Sequence, residues 1–467
     1  MATLKFLGAA QEVTGSCYLL ESPTIGKILL ECGMHQGGDA VDRLLNEKFA
    51  FNPSDIDAVI LSHAHLDHSG LLPKLLHQGF DGRIYCTETT AELLEILLLD
   101  SVGLYERDLQ HKNLRLERKG LKPIKPDYSK NDVLKVLKKC KPQAYETSIK
   151  ISDNLSVKFY DAGHILGSSI VEIKIHEMNK TKTLVFSGDL GNENAVLMND
   201  PTIVKEADVV LMESTYGNRN HRPMDATIEQ FRDILHETWE EGGNVMIPSF
   251  AVGRTQELLF YLGKLSQSGD LDNWHIILDS PMAIAVTKVY DRWLHTLDCQ
   301  GIKKLCSGDQ TLLKDFLPRL HLSITPQDSM AINNIKNGAI IIAGSGMCTG
   351  GRIRHHIKHR IWKKRNTMIF VGFQARGTLG RVIVDGVKNL KLFNEEYAVK
   401  ARIETLGGFS AHAGQIELIE WLSSFTTNPR IFLVHGEPEA QDALAQKLWD
   451  EKNIKTEIPI YGQTIAF

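Results

Sequence analysis

The run AVILSHAHLDHSG delivers His63, His65, Asp67 and His68 directly after an apolar, strand-like stretch. In extended chain, residues two apart face the same way, so His63 and His65 can reach one ion. Asp67 and His68 follow where the backbone turns and can be aimed at a second. Imidazole and carboxylate ligands suit zinc, and few protein ligands per ion leave positions for water. Later apolar runs end in similar fashion: FYDAGHILGSS presents His164, TLVFSGDLG presents Asp189 and IFLVHGEPE presents His435, each beside a glycine. A lone histidine of this kind is more often a hydrogen-bonded structural residue. Read with the H-x-H-x-D-H run, these three supply the remaining ligands of a two-metal site. The expected assignment is His63, His65 and His164 on one ion, Asp67, His68 and His435 on the other, and Asp189 bridging.

The elements that must position these residues alternate in a readable way. Short β-rich runs with Gly-marked turns open the chain (KFLGAA, CYLLES, KILLECG, DAVILSHA), followed by a helical pattern, ETTAELLEILLLDSVGLYERDL, with apolar residues three and four apart. Residues 112–141 are Lys-rich and Pro-interrupted and read as a connecting excursion. Strands return at SVKFYDA, SIVEIKI and TLVFSGD. From Glu213 onward strands alternate with helices, the pattern of a parallel sheet with helices on both faces, and after Leu392 two more strands and helices close the chain. The absence of linker-like or repetitive segments favours an inserted middle section over separate beads.

Composition excludes several classes. The chain has 467 residues, 43% hydrophobic and 24% charged, which are globular values. No apolar run reaches the roughly 18 residues of a membrane span, and MATLKFLGAAQE reads as a first strand rather than a signal peptide. Seven scattered cysteines without a C-x-x-C pair argue for free thiols in a reducing, cytoplasmic setting. A net charge of -4 means that any polyanion must be met by a local basic patch.

H-A-H-L-D-H, followed by G-H and S-G-D, resembles the metallo-β-lactamase fold. The resemblance implies an α/β protein, an αββα sandwich with a binuclear zinc site at one edge. ESTYGNR, IPSFAVGRTQE, LDSPMA, AGSGMCTGGR, FVGFQARGTLGR, GFSAHA and VHGEPEA resemble the β-CASP branch. More closely, they resemble its RNA-processing members, the relatives of the pre-mRNA 3′-end cleavage endonuclease and its bacterial and archaeal counterparts. Over nearly the whole chain this implies a lactamase domain in two parts, 1–208 and 395–467, with a β-CASP domain inserted over 209–394, capping the zinc site and forming a cleft for a polynucleotide. Three family motif positions fall on Glu213, His412 and His435. A histidine rather than an aliphatic residue at the third favours RNA over DNA. One departure is Glu31, in ILLECGM, where the family has Asp; that acid braces the ligand loop rather than binding metal.

The implied chemistry is phosphodiester hydrolysis of single-stranded RNA, endonucleolytic, with Asp67, Glu213 and His412 as the catalytic set. Two zinc ions per chain can share one hydroxide and polarise a phosphoryl oxygen. His412 is the expected general acid, with Glu213 orienting its ring. For RNA contact, GGRIRHHIKHRIWKKR holds seven Lys and Arg and no acid. It contributes Arg352, Arg354 and Lys358, joined by Arg254, Arg376 and Arg381; for each, an intramolecular salt bridge or a solvated face is the competing explanation. The alternatives to a ribonuclease are a non-catalytic RNA-binding paralogue and a small-molecule lactamase-fold hydrolase. The chain is expected to act as a monomer or homodimer, away from membranes.

Overall fold

The computed structural model describes residues 1–36, 40–177, 179–193, 195–297, 317, 319–372 and 374–467. Phe373, in the FVGFQARG motif, lies outside the described residues. The chain divides into two compact units, Met1–Asn220 with His412–Phe467, and His221–Ala411.

The first unit carries two seven-stranded sheets. One runs in the order Thr464–Ala466, Thr3–Gly8, Cys17–Ser22, Gly26–Leu30, Ala58–Ile60, Arg83–Thr87, Cys140–Gln143. The other runs Thr456–Glu457, Arg430–Val434, Val209–Glu213, Lys180–Phe186, Ser169–Glu177, Leu155–Asp161, Ile149–Ser152. Each sheet is antiparallel in one half and parallel in the other. The sequence texture follows this division. Antiparallel LSVKFYD alternates buried and partly buried residues, whereas parallel VVLME is buried throughout because it is covered on both faces.

Between the sheets, Phe6, Tyr18, Leu20 and Leu30 of the first meet Phe159, Val171, Phe186, Leu211 and Phe432 of the second. Phe6 touches Phe432 at 5.3 Å between ring centroids, and Tyr18 touches Phe186 at 5.5 Å. Each such fully buried side chain contributes about 1.5–3 kcal/mol. On the outer face of the second sheet, Val210, Met212, Ile431 and Leu433 pack against helices Gln415–Ser423 and Pro438–Lys452 through Leu418, Trp421, Leu444 and Leu448. Helices Glu88–Glu117 and Lys130–Lys139 cover the parallel half of the first sheet. The helix–sheet–sheet–helix layering is that of the expected αββα sandwich.

The excursion expected over 112–141 is more ordered than its composition implies. The helix from Glu88 continues to Glu117, and a second helix, Lys130–Lys139, is started by a capping box between Ser129 and Asp132. Both prolines, Pro123 and Pro126, fall between the helices, where no amide donor is required.

The second unit is built on a six-stranded, wholly parallel sheet in the order Leu320–Leu322, His275–Leu278, Ala339–Ala343, Val245–Pro248, Thr367–Phe370, Arg402–Thr405. It begins and ends later than the expected 209–394 insert. Val209–Glu213 pairs with Lys180–Phe186 in the first unit, and Arg402–Thr405 pairs with Thr367–Phe370 in the second.

Candidate metal centre and active site

Every group in the expected centre leaves the C-terminal end of a strand. Gly26–Leu30 leads to Glu31, Ala58–Ile60 to His63 and His65, Leu155–Asp161 to His164, and Lys180–Phe186 to Asp189. Val209–Glu213 ends on Glu213, and Arg430–Val434 leads to His435. Loops outside the carboxyl ends of strands are where α/β proteins gather distant residues.

His65 is the N-cap of a one-turn helix, Leu66–Ser69, which bends the chain and redirects Asp67 and His68. The loop after Glu31 supports this turn: Cys32 N donates to His68 O at 2.7 Å and Met34 N to Leu66 O at 2.9 Å. A Cβ on Gly33 would stand 1.7 Å from Asp67 O, so only glycine permits this approach.

Two groups of ligand atoms result. His63 Nε2 lies 3.1 Å from His65 Nδ1, which lies 3.3 Å from His164 Nε2. Asp189 Oδ2 is 3.5 Å from His63 Nε2 and 3.6 Å from His164 Nε2. Such spacings are those of the edges of a tetrahedron about an ion with metal–nitrogen bonds of about 2.0–2.1 Å. Asp67, His68 and His435 form the other group, with ligand atoms within 4.8 Å of one another. Asp189 stands between the groups, its Oδ2 3.4 Å from His68 Nε2 and its Oδ1 3.6 Å from His435 Nδ1.

The hydrogen-bond network assigns the tautomers. Ser62 Oγ gives its proton to Glu31 Oε2 at 3.1 Å, so it accepts from His63 Nδ1 at 2.9 Å. His68 Nδ1 donates to Glu31 Oε2 at 2.7 Å. Thr215 Oγ1 gives its proton to His435 O at 3.1 Å and accepts from His435 Nδ1 at 3.0 Å. Each of these three rings therefore has its Nδ1 occupied and its Nε2 left for the centre, the arrangement a metal ligand needs. His68 Nε2, His435 Nε2 and Asp189 Oδ1 are buried and make no hydrogen bond among the described residues. A buried polar atom left so costs about 1–3 kcal/mol, and three on neighbouring residues of one buried cluster fit divalent cations.

The electrostatics agree. Burial holds His63 well below the ordinary imidazole range and His65 at about 4, so both are neutral donors. Burial opposes ionisation of Asp67, but the neighbouring His435, His68 and His65 outweigh it and bring the carboxyl down to about 2. At His68 burial disfavours charge, yet Asp189 and Glu31 outweigh it and raise the ring well above its usual range, the mark of a cluster whose acids call for positive charge.

Glu31 lies against His68, and its carboxylate forms a further group with His63 and His68 whose ligand atoms are within 4.8 Å of one another. Its Oε1 also accepts from Ser62 N at 2.6 Å. Its backbone is left-handed, φ 62°. Glu213, fully buried, accepts from Leu190 N at 2.6 Å and lies 3.1 Å from His412 Nδ1. The His412 side chain is 21% exposed, and its ring centroid is 4.4 Å from that of His164. Burial would lower the His412 pKa, but Glu213 and Asp189 raise it to about 9. Ser62 and Thr215 are the functional residues that motif reading passed over. Their only signal is adjacency, Ser62 before His63 and Thr215 two positions after Glu213.

The basic candidates lie in the second unit and have diverse surroundings. Arg254 is buried and ion-paired with Glu257. Arg352 donates to Asp279 Oδ1 at 2.7 Å and to Ile324 O at 2.8 Å. On the helix Ile353–Arg360, Arg354 and Lys358 lie one turn apart, 5.0 and 6.0 Å from the Phe393 ring centroid. Arg376 is exposed, and exposed Arg381 pairs with Asp385 at 2.8 Å. Arg360, from the same basic run, is buried and donates to Ile332 O at 2.6 Å.

Residues 10–137 match the metallo-beta-lactamase superfamily, 255–383 the Beta-Casp domain, and 396–459 the Zn-dependent metallo-hydrolase RNA specificity domain. The chain is 38% identical over 442 residues to Ribonuclease TTHA0252 of Thermus thermophilus, covering 94% of each. It is 30% identical to the RNase J-like protein of Methanocaldococcus jannaschii, covering 99% of each. It is 32% identical to transcription termination factor FttA of Methanosarcina mazei, covering 96% of this chain and 69% of that protein. A crystal structure of a protein of unknown function from Enterococcus faecalis shares the fold, with a TM-score of 0.54 at 14% identity over the full length of both chains. With its buried histidine–aspartate cluster and these full-length relatives, the chain belongs to the β-CASP family of metallo-β-lactamase-fold ribonucleases.

Proposed function

We propose that the chain is a zinc-dependent endoribonuclease that cuts single-stranded RNA with two zinc ions per chain. In this reading His63, His65 and His164 hold one ion, Asp67, His68 and His435 the other, and Asp189 both. Bound there, the ions would lower the pKa of a water and polarise a phosphoryl oxygen. The protein's part is positioning and proton transfer. Glu31, Ser62 and Thr215 occupy the outward nitrogens of His68, His63 and His435, so none of these rings can turn away. Glu213 occupies His412 Nδ1 and keeps the ring protonated at neutral pH, so the proton passes from Nε2 to the departing 3′ oxygen. The products are a 3′-hydroxyl and a 5′-phosphate. The setting that suits the five described free cysteines is the cytoplasm, as a monomer or homodimer. No helix among the described residues is long and apolar enough to cross a membrane.

The observation that carries this reading is the placement of a partly exposed, acid-backed His412 against a cluster whose buried nitrogens lack hydrogen bonds. His412→Ala should lower kcat by roughly 10²–10⁴-fold with zinc content unchanged. A substrate whose leaving group needs no protonation should recover much of that loss. Equal loss on both substrates would make His412 structural, and elemental analysis finding no zinc in a chain that still cuts RNA would sink the metal assignment.

A further inference from the structure

The crossover from Arg83–Thr87 to Cys140–Gln143 carries a feature the proposed chemistry leaves unused. Residues 112–141 hold eleven Lys and Arg against three acids, in a chain of net charge -4. A few of these bases are paired: Lys112 with Asp42, Lys135 with Asp132 and Lys139 with Asp81. Arg115, Arg118, Lys119, Lys122, Lys125 and Lys138 are exposed and make no ion pair among the described residues. All but Lys138, which sits in the last turn of the helix Lys130–Lys139, lie at the end of the long helix Glu88–Glu117 or in the turn that follows it.

The backbone that displays them is tied down. The Asn113 side chain donates to Ile124 O at 3.0 Å and accepts from Ile124 N at 2.8 Å. Tyr105 Oη accepts from Asp127 N at 2.9 Å, and the rings of Tyr105 and Tyr128 stack at 5.1 Å. The other end of the helix is anchored beside the His164 loop, where Thr87 and Thr90 donate to Gly167 O at 2.6 and 2.8 Å. The helix has 30 residues. At 1.5 Å per residue its basic tip stands about 45 Å from that loop.

We propose that this tip is a second contact surface for RNA on the metal-bearing unit, holding the phosphodiester backbone well away from the cut. The inference rests on the ribonuclease reading. Spaced lysines and arginines on a fixed turn that carries no exposed aromatic side chain among its described residues suit a repeating polyanion bound by charge rather than a base or a mononucleotide. At a stacked rise of about 3.4 Å per nucleotide, an RNA spans that distance with roughly 13 nucleotides, and a more extended strand with fewer. Short substrates therefore gain nothing from it. Leu114 and Leu121, 45% and 55% exposed, are the features an acidic protein partner would use instead.

The test is a Lys119→Glu, Lys122→Glu, Lys125→Glu variant of the full chain, with zinc content and Tm checked against wild type. Cleavage of single-stranded RNAs of about 30 and about 6 nucleotides is compared over a range of salt. The expected result is a KM for the long RNA raised about tenfold and its salt slope flattened by about two units, with the short RNA unaffected. Equal behaviour of variant and wild type on both RNAs overturns the proposal and leaves the surface to a protein partner. Equal impairment on both overturns it too, since the effect would not depend on reach. If wild type cuts neither RNA, the ribonuclease reading fails by itself. The tip is then judged by binding of the long RNA, and unchanged affinity in the variant overturns it.

Discussion

Asp189 and Asp279 are both buried carboxylates just beyond the end of a strand, one in each unit, and both face histidine. Their surroundings differ in one respect. Asp279 Oδ1 accepts from Ser323 at 2.6 Å and Arg352 at 2.7 Å, and its Oδ2 accepts from Ser329 at 2.6 Å and His356 at 2.7 Å. His356 in turn accepts at Nδ1 from Arg360 at 3.2 Å, so the ring is neutral and both nitrogens are used. Among the described residues, Asp189 Oδ1 has no hydrogen bond, and the histidine nitrogen nearest to Oδ2 is His68 Nε2 at 3.4 Å. Residue types alone do not separate a metal centre from a structural network. The separation comes from whether protein donors already saturate the acceptors, and from whether imidazole lone pairs face inward with their other nitrogen occupied.

The largest expected effect breaks the comparison on the Asp189 side. Asp189→Ala should release bound metal and reduce RNA cleavage to the uncatalysed background, and chelation of the wild type should do the same. Elemental analysis beside a cleavage assay decides this; retained metal would mean Asp189 is dispensable to the centre. On the other side, Asp279→Ala should cost about 3–5 kcal/mol in stability, since Arg352 and His356 are left without their buried acceptor. Denaturant unfolding measures it, and zinc content should stay at the wild-type value. Loss of metal in this variant would erase the distinction between the clusters.

A smaller change sharpens the account of the ligand support. Glu31→Gln keeps the shape but removes the carboxylate facing His68 Nδ1, and should weaken metal affinity by about 10–100-fold in competition with a chelator. Wild-type affinity would show that Glu31 serves the fold alone. The smallest effect is a pH dependence. Burial works against the Asp279 carboxylate, but His356, Ser323, Ser329 and Arg352 hold it well below the ordinary range. A depressed folded pKa contributes stability above the unfolded value and loses it as pH falls. The stability difference between wild type and Asp279→Asn should therefore be constant above about pH 5 and shrink progressively below about pH 4. A difference that grows on acidification would reverse the assignment.

The basic run from Gly350 to Arg365 illustrates what sequence leaves open. Its charge is uniform, but Arg352 and Arg360 turn inward to Asp279 and the main chain while Arg354 and Lys358 share a face with Phe393. A helix spreads neighbours over different faces, and which face is buried depends on what packs against it. The segment 112–141 shows the converse. Its lysines suggested a simple connection, although the Ser129–Asp132 capping box was readable as a helix start.

By itself the sequence determined what is local. The H-x-H-x-D-H run folds as strand end, turn and short helix, so His63, His65, Asp67 and His68 are brought together within six positions. The alternation of LSVKFYD and the apolar continuity of VVLME likewise carried the strand environments. Tertiary structure decided the rest. His164, Asp189 and His435 join the cluster only because strands distant in sequence end in one place, and Glu213 meets His412 across the chain for the same reason. The charge state of a side chain and its use as ligand, acid or salt bridge depend on water exclusion and on partners within a few ångströms. Long-range packing sets both, and no residue encodes either in its own neighbourhood.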